Sequence, residues 1–561
     1  MCPGASQATL PPDPPSKGPS VKISPTLGVL MSLAAVGSLA LTGCATPATS
    51  SSASVQPSQA SARPAKAAAV EAATGDPQRC AALAGRQIAG TAVSEARYYS
   101  VGEPMKPLNL PNRVDFCMVT FVAKPTAASA IKIEVWLPNA WNRKFVGVGG
   151  GGFSGSYAVS SIALTPAVSQ GYAAVVTDAG HDASDDAAWA LGQPDKIADY
   201  GYRSNHIAAE LGKAVSQAYY GAGVERAYFK GCSNGGRDAL MLAQRYPADY
   251  DAIVVGAPAH RFTDLMSSFA QYGQMVEALP AIDALAPKLA MLREAVLVRC
   301  DDRDGLKDGL IAEPDKCAFD PGEVACADGQ TENCLTAQEL ALVRTIYRGV
   351  STPDGRQVMP GLSPGSEYEW TNWVAGAKAG GPGMGREFFR NMVYSDPSWS
   401  FGRFDVARDS AAAQARAGSD VDAVDTDLRP FLRRGGKILF HHGWDDAAIP
   451  PASTIGYFEA ASRSAGGLAD TSMRLFMMPG VAHCSDGKGP DYVDFLGALD
   501  TWVETGQAPD RLVAAKHQNR LSIYTGQTPT VVRTRPLCAW PRSASYSGSG
   551  SGDDAANFVC R

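Results

Sequence analysis

Apolar residues arrive along the chain in short bursts separated by stretches of helical length. Ile131 to Leu137 alternates apolar with polar positions, the period of a half-buried strand. Lys144-Phe145-Val146-Gly147-Val148 reads as the next strand. Tyr172 to Thr177 is a short apolar run, as expected of a parallel strand covered on both faces, and Tyr250 to Gly256 reads as another buried strand. A β-rich run, Arg226 to Lys230, lies between a helical stretch from about Ser204 to Tyr220 and a helix-forming run from Arg237 to Gln244. Strands alternating with helices predict an α/β fold with a doubly wound, mostly parallel sheet.

The alternation stops after Pro258. From about Ala259 to Arg429 the chain is helical and loop-rich, with Trp370, Trp373, Phe388, Phe389 and Trp399. Strand rhythm returns at Lys437 to His442 and again at Leu475 to Met478, before a last helix from roughly Asp491 to Val503. Residues 259–429 therefore read as a large inserted lid domain between two parts of one core, residues 80–258 and 430–561. Most of the lid aromatics are expected to form the lid's own core.

Gly231-Cys232-Ser233-Asn234-Gly235-Gly236 sits where the strand at Arg226 gives way to the helix at Arg237. Strand, glycine turn and helix are the context that makes G-x-S-x-G a nucleophile elbow of the α/β-hydrolase type. Ser233 is the expected nucleophile, and the Asn234 amide points toward an oxyanion forming on a bound acyl group. Gly361-Leu362-Ser363-Pro364-Gly365 matches the same pattern, but with Pro364 after the serine and no apolar strand before it, this copy reads as a loop. The polyglycine turn Gly149 to Gly152 follows a strand end, where a second oxyanion amide belongs, and Gly149 is taken as its donor.

A serine hydroxyl needs a base, and the base an orienting carboxylate. His483 follows the strand Leu475 to Met478 and precedes the last helix, the place of the base loop. His441 and His442 lie on the preceding strand, where a structural role fits better. The acid should come from the turn after that strand, where Asp445 and Asp446 both stand. Another cluster, Asp178-Ala179-Gly180-His181-Asp182, resembles a metal-ligand set but reads as a strand-end turn network.

The N-terminus reads as a targeting segment. Lys17 and Lys22 precede an apolar stretch, Leu27 to Leu41, that ends in Leu41-Thr42-Gly43-Cys44. This resembles a bacterial lipobox, which makes residues 1–43 a lipoprotein signal, Cys44 the lipidated residue and the outer membrane the destination. An ordinary cleaved secretory signal is the alternative. The Ala/Ser/Pro-rich residues 44–79 then form a tether. With Cys2 and Cys44 set aside, an even number of cysteines remains, which reads as disulfides in an exported chain. Proximity pairs Cys80 with Cys117, Cys300 with Cys317, Cys326 with Cys334, and Cys538 with Cys560. Cys232 and Cys484 are left, flanking Ser233 and His483, so their pairing would staple the nucleophile turn to the base turn.

Net charge is −6, with 50 Lys and Arg against 56 Asp and Glu. No basic stripe appears, which argues against a nucleic-acid partner. Within the insertion, Cys300 to Leu310 carries aspartates spaced by glycine turns. With backbone carbonyls at Leu306 and Leu310, such a loop can offer the oxygen shell calcium prefers; a solvated acidic turn is the alternative.

Cys232-Ser233, Asp446 and His483-Cys484 resemble the CS-D-HC constellation of the tannase and feruloyl esterase family. The similarity runs from about Cys80 to Cys560 and includes the lid stretch Phe389 to Trp399. It implies a secreted serine esterase acting on feruloyl, caffeoyl or galloyl esters, with Asp446 rather than Asp445 as the acid. It also implies a structural calcium ion in the lid, held by Asp301, Asp304 and Asp308 with Leu306 and Leu310. One branch of the family hydrolyses terephthalate half-esters. It carries Trp-Arg-Ser-Trp where this chain reads Trp370-Thr371-Asn372-Trp373, and phenylalanine at Ile449. A threonine cannot replace a guanidinium that grips a carboxylate. Terephthalate half-ester hydrolysis therefore stands as the alternative, with Arg386 and Arg390 as substitute anchors to examine. A non-catalytic surface lipoprotein that binds aromatics is the alternative of another class. The expected partners are a small aromatic ester and, through the lipid alone, a membrane.

Overall fold

The computed structural model describes residues 74–105, 109–155, 163–182, 187–279, 285–376, 378–520, 522 and 527–561. The apolar N-terminal stretch, Cys44 and the tether up to residue 73 lie outside the described residues.

One ten-stranded sheet organises the core. In chain order its strands are β1 (Gln87–Ile88), β2 (Thr91–Tyr99), β3 (Phe116–Ala123), β4 (Ile131–Pro138), β5 (Lys144–Val148), β6 (Ala173–Thr177), β7 (Arg226–Cys232), β8 (Ala252–Gly256), β9 (Lys437–Gly443) and β10 (Met473–Met478). Their spatial order is β1-β2-β3-β4-β6-β5-β7-β8-β9-β10. Pairing is parallel from β6 through β5, β7, β8 and β9 to β10. It is antiparallel from β1 to β6. This is the α/β-hydrolase arrangement. It brings the C-terminal ends of β5, β7, β9 and β10 to one edge, where ligand sites of such sheets form.

The continuous apolar runs became β6 and β8, buried at every position. The alternating run did not become a half-buried strand. β4 is buried at every residue but Lys132, because it lies between β3 and β6 inside the sheet. Its polar Glu134 is accommodated by the Trp136 indole N–H, which donates to Glu134 Oε1 at 2.7 Å. Strands β1 to β3 were not predicted from the pattern, nor was the antiparallel pair β11 (Arg511–His517) and β12 (Val531–Cys538).

Helix α1 (Ser204–Tyr220) covers the sheet beside β6, and α2 (Asn234–Arg245) follows the elbow. Between β8 and β9 run α3 (Phe262–Glu277), α4 (Leu285–Cys300), α5 (Gly380–Phe388) and further helices, Ala337–Arg348 among them, with a small strand pair, Val350–Ser351 with Gln357–Met359. Trp370, Phe388, Phe389 and Trp399 are buried within this stretch, with Phe389 stacked on Trp399 at 5.0 Å between ring centroids. The helix expected after His483 is α6 (Phe495–Thr505). No helix among the described residues is long and apolar enough to cross a membrane.

Candidate active site

β7 enters the elbow and α2 leaves it. Ser233 between them sits at φ 62° and ψ −123°, a left-handed conformation costly for a residue with a Cβ. The flanking glycines are sterically required. A Cβ on Gly231 would lie 2.2 Å from the Gly235 carbonyl oxygen, and one on Gly149 would lie 2.5 Å from Gly235 Cα. The second G-x-S-x-G copy, residues 361–365, is loop as expected.

The Asn234 amide stands at the N-terminus of α2, where backbone N–H groups lack helical partners. The Gly149 assignment is corrected. Its N–H donates to the Lys230 carbonyl at 3.0 Å, because Val148 pairs with Lys230 and the β5–β7 ladder runs one residue further. Gly151 and Gly152 line the cavity beside Ser233.

Asp446 closes the turn after β9 and is fully buried. Its Oδ1 accepts from the Ala448 and Ile449 amides at 2.9 and 2.8 Å. Its Oδ2 lies 2.8 Å from His483 Nδ1 and 3.1 Å from His442 Nε2. His442 Nε2 also faces the Ile449 carbonyl at 3.0 Å, so that nitrogen carries the proton, and Nδ1 accepts from Thr454 Oγ1 at 2.8 Å. Burial alone would raise the Asp446 pKa. The adjacent His483 and the hydrogen bonds from both histidines outweigh it and hold the carboxyl well below the usual range. Asp445 points away. Burial, reinforced by Glu367 and opposed by Arg293, pushes its pKa up to about 8.

With Nδ1 on Asp446, His483 turns Nε2 to the cavity it shares with Ser233. A Ser233–His483 hydrogen bond is not formed in this geometry; such bonds commonly tighten only when substrate is bound. Cys232 and Cys484 are joined, with an S–S distance of 2.06 Å and Cα atoms 5.9 Å apart across 252 residues of sequence. The four proximity pairings are also present.

The cavity measures ≈ 280 Å³. Its apolar lining comprises Phe262, Leu265, Met266 and Phe269 of α3, Met384 of α5, Trp373, Ala259, Ala448 and Ile449. Trp373 meets the His483 ring edge-on at 5.0 Å. The two arginines examined as carboxylate anchors are occupied elsewhere and do not line it. Arg386 Nε and Arg390 Nη1 each donate to Glu387 Oε1 at 3.1 Å, and Arg390 Nε donates to the Trp399 carbonyl at 2.8 Å.

Asp178 and His181 form a turn network behind the polyglycine loop. The Lys132 and Gly180 amides donate to Asp178 Oδ1, and His181 Nε2 lies 2.7 Å from the Phe153 carbonyl oxygen.

The acidic loop follows α4. Asp301 accepts from the Gly309 amide and Asp304 from the Leu306 amide. Burial pushes Asp304 up to about 6, and the neighbouring Asp308 and Asp301 add to this. The all-oxygen donor set suits a hard cation. Among the described residues, however, no three acidic, histidine or cysteine side chains are gathered as an ion-holding group. Asp308 is instead paired with Arg535 and with Arg533, the latter at 3.6 Å.

Sequence reading passed over Tyr200, Arg237 and the contact of His442 with the acid. His442 is four residues before Asp446, a spacing that carries a contact only once the turn geometry is known.

The profile described as Tannase and feruloyl esterase matches residues 117–561. An uncharacterised esterase of Xanthomonas campestris pv. campestris is 36% identical over 535 residues, covering 86% of this chain and 91% of the relative. The mono(2-hydroxyethyl) terephthalate hydrolase of Piscinibacter sakaiensis is 33% identical over 500 residues, covering 77% and 81%. The crystal structure of feruloyl esterase B from Aspergillus oryzae superposes with a TM-score of 0.78 at 26% identity, covering 86% of this chain and 100% of that one.

Proposed function

The chain belongs to the tannase and feruloyl esterase family and is a carboxylic ester hydrolase, and from that premise we propose that it cleaves esters of aromatic acids through an acyl-enzyme on Ser233. The observation that carries this reading is the Asp446–His483 pair at 2.8 Å, opening onto an apolar cavity shared with an elbow serine. His483 Nε2 takes the Ser233 proton as Oγ attacks the ester carbonyl, and then passes it to the departing alcohol oxygen. Asp446 holds the Nδ1–H tautomer and stabilises the imidazolium. The Asn234 amide and one from Gly151 or Gly152 bind the oxyanion. Water, activated by the same histidine, then releases the acid.

The aryl group of the acid fits against Phe262, Phe269, Trp373 and Met384. That wall separates the rival substrates. A terephthalate half-ester would bring its free carboxylate against apolar side chains, with Arg386 and Arg390 turned to Glu387. An isolated carboxylate buried without a partner is heavily penalised. The non-catalytic binder has no use for a serine held at φ 62° beside an acid–histidine pair.

The test is initial rate on methyl ferulate, methyl gallate, chlorogenic acid and mono(2-hydroxyethyl) terephthalate. An uncharged hydroxycinnamate or gallate should exceed the terephthalate half-ester in kcat/KM by about 100-fold, a difference of about 2.7 kcal/mol in transition-state binding. Preference for the half-ester would overturn the assignment.

The proposal extends to a calcium ion held by Asp301, Asp304 and Asp308 with the Leu306 and Leu310 carbonyls, ordering the insertion and taking no part in the chemistry. Asp304, pushed up to about 6 among its acidic neighbours, supports it, and the ion must compete with Arg533 and Arg535 for Asp308. At about 100 times its Kd, such an ion adds about 2.7 kcal/mol to stability. Thermal melts after chelation should therefore shift down and recover with added calcium. Superimposable melts would remove the ion. Export, with a lipid on Cys44, completes the reading; the five disulfides support an oxidising compartment.

A further inference from the structure

Beneath the elbow lies a buried polar network that the reaction scheme leaves unused. The Arg237 side chain is 0% exposed, and its five N–H groups have five acceptors. Nε donates to Asn234 Oδ1 at 2.7 Å. Nη1 donates to the carbonyls of Gly201 at 2.7 Å and Val421 at 3.3 Å. Nη2 donates to the Tyr200 carbonyl at 3.1 Å and to Asp238 Oδ1 at 2.9 Å. Because Arg237 Nε can only donate, Asn234 must present its oxygen there. Tyr200 reaches the same Asn234 oxygen with its hydroxyl at 2.8 Å, and lies 3.0 Å from the Gly152 carbonyl oxygen. Asn234 Nδ2 donates to Ser154 Oγ at 3.3 Å and Asp238 Oδ2 at 3.4 Å. Both lone pairs and both N–H groups of the Asn234 amide are thus engaged.

The consequence is geometric. One side of the oxyanion site is the Asn234 backbone amide; the other is the turn carrying Gly151 and Gly152. The Tyr200 hydroxyl has one proton and faces two acceptors, so that proton is shared between Asn234 Oδ1 and the Gly152 carbonyl oxygen and bridges the two turns, while Arg237 fixes the Asn234 side chain from below. Tyr200 itself is delivered by a π-helical turn, Asp199–Arg203, which displaces it from α-helical register just ahead of α1. Such single turns occur often at functional sites.

We propose that Tyr200 and Arg237 are positioning residues for oxyanion binding, locking the two amide-bearing turns at one separation before substrate arrives. This rests on the serine-esterase reading above. Preorganised donors act on the charge that develops in the transition state, so a loosened pair should lower kcat and leave ground-state binding alone.

Removing Arg237 would strand Asp238 in the interior and endanger folding. Tyr200→Phe deletes one oxygen and is the variant to measure. With thermal melting as the check on folding, kcat on methyl ferulate should fall about 10-fold or more while KM stays within about two-fold. The Ki of an arylboronic acid, which forms a tetrahedral adduct on Ser233, should rise by the same factor as kcat falls. The Kd of ferulate, which forms no adduct, should not move. A folded Tyr200→Phe enzyme with unchanged kcat and boronate Ki overturns the inference. So does a rise in KM and ferulate Kd that matches the loss in rate. Absence of ester turnover by the unmodified protein would overturn the parent reading as well, so the two failures are distinguishable.

Discussion

Ser233→Ala is expected to remain folded and to hydrolyse aryl esters at least about 10⁴-fold more slowly than the parent protein. The serine faces the cavity, and its hydroxyl makes no hydrogen bond among the described residues, so its loss strands no buried partner. The strained backbone at φ 62° is held by close approach of Gly231 to Gly235, which the substitution leaves alone. On the proposed mechanism the lost rate is chemical: without Oγ no acyl-enzyme would form, and His483 would have no proton to take. The remaining activity would come from oxyanion binding and substrate positioning acting on water. A serine-directed fluorophosphonate gives an independent reading: intact mass should show one adduct on the parent and none on the variant. Retained turnover, or an adduct elsewhere, would mean that the nucleophile is another residue.

Asp446→Asn is expected to cost about 10³- to 10⁴-fold in kcat. Asp446 accepts from four donors: two amides on Oδ1 and two imidazoles on Oδ2. An asparagine that keeps its oxygen on the Ala448 and Ile449 amides must aim its NH₂ at His442 Nε2 and His483 Nδ1. The His442 nitrogen carries a proton, so those groups repel. His483 can answer only by moving its proton to Nε2, the tautomer that cannot take one from Ser233. The sign of the accompanying stability change is fixed by the depressed Asp446 pKa. A group depressed on folding contributes stability above its unfolded pKa, about 3.9, and loses that contribution as pH falls toward the folded value. Urea unfolding should show the variant weaker at pH 7 and the gap narrowing below about pH 4. A variant equal to the parent in kcat would show that Asp446 does not orient the base.

The pattern of apolar runs located β6 and β8, because both are buried along their whole length and leave no charged position to blur the signal. It misjudged β4, whose Lys132 and Glu134 give a false surface period; Glu134 is buried because the Trp136 indole N–H satisfies it. The early antiparallel strands mix exposed and buried positions irregularly and stayed below notice, as the β2 burial shows. Arg386 and Arg390 look free in a linear reading, and only folding turns both toward Glu387.

The chain's local chemistry is thus written in neighbours: glycine turn, elbow, histidine after its strand, and cysteines set beside both. Those features depend on residues a few positions apart, and local backbone rules are enough to read them. The Cys232–Cys484 pairing belongs with them, since each cysteine adjoins an element whose partner was already inferred. What the tertiary structure decided depends on register between distant segments. Gly149 is engaged by Lys230 because β5 and β7 are parallel neighbours with Val148 opposite Lys230. His442 joins the acid, and Tyr200 and Arg237 converge on Asn234, only when separate segments are packed so tightly that each buried polar atom must find a partner.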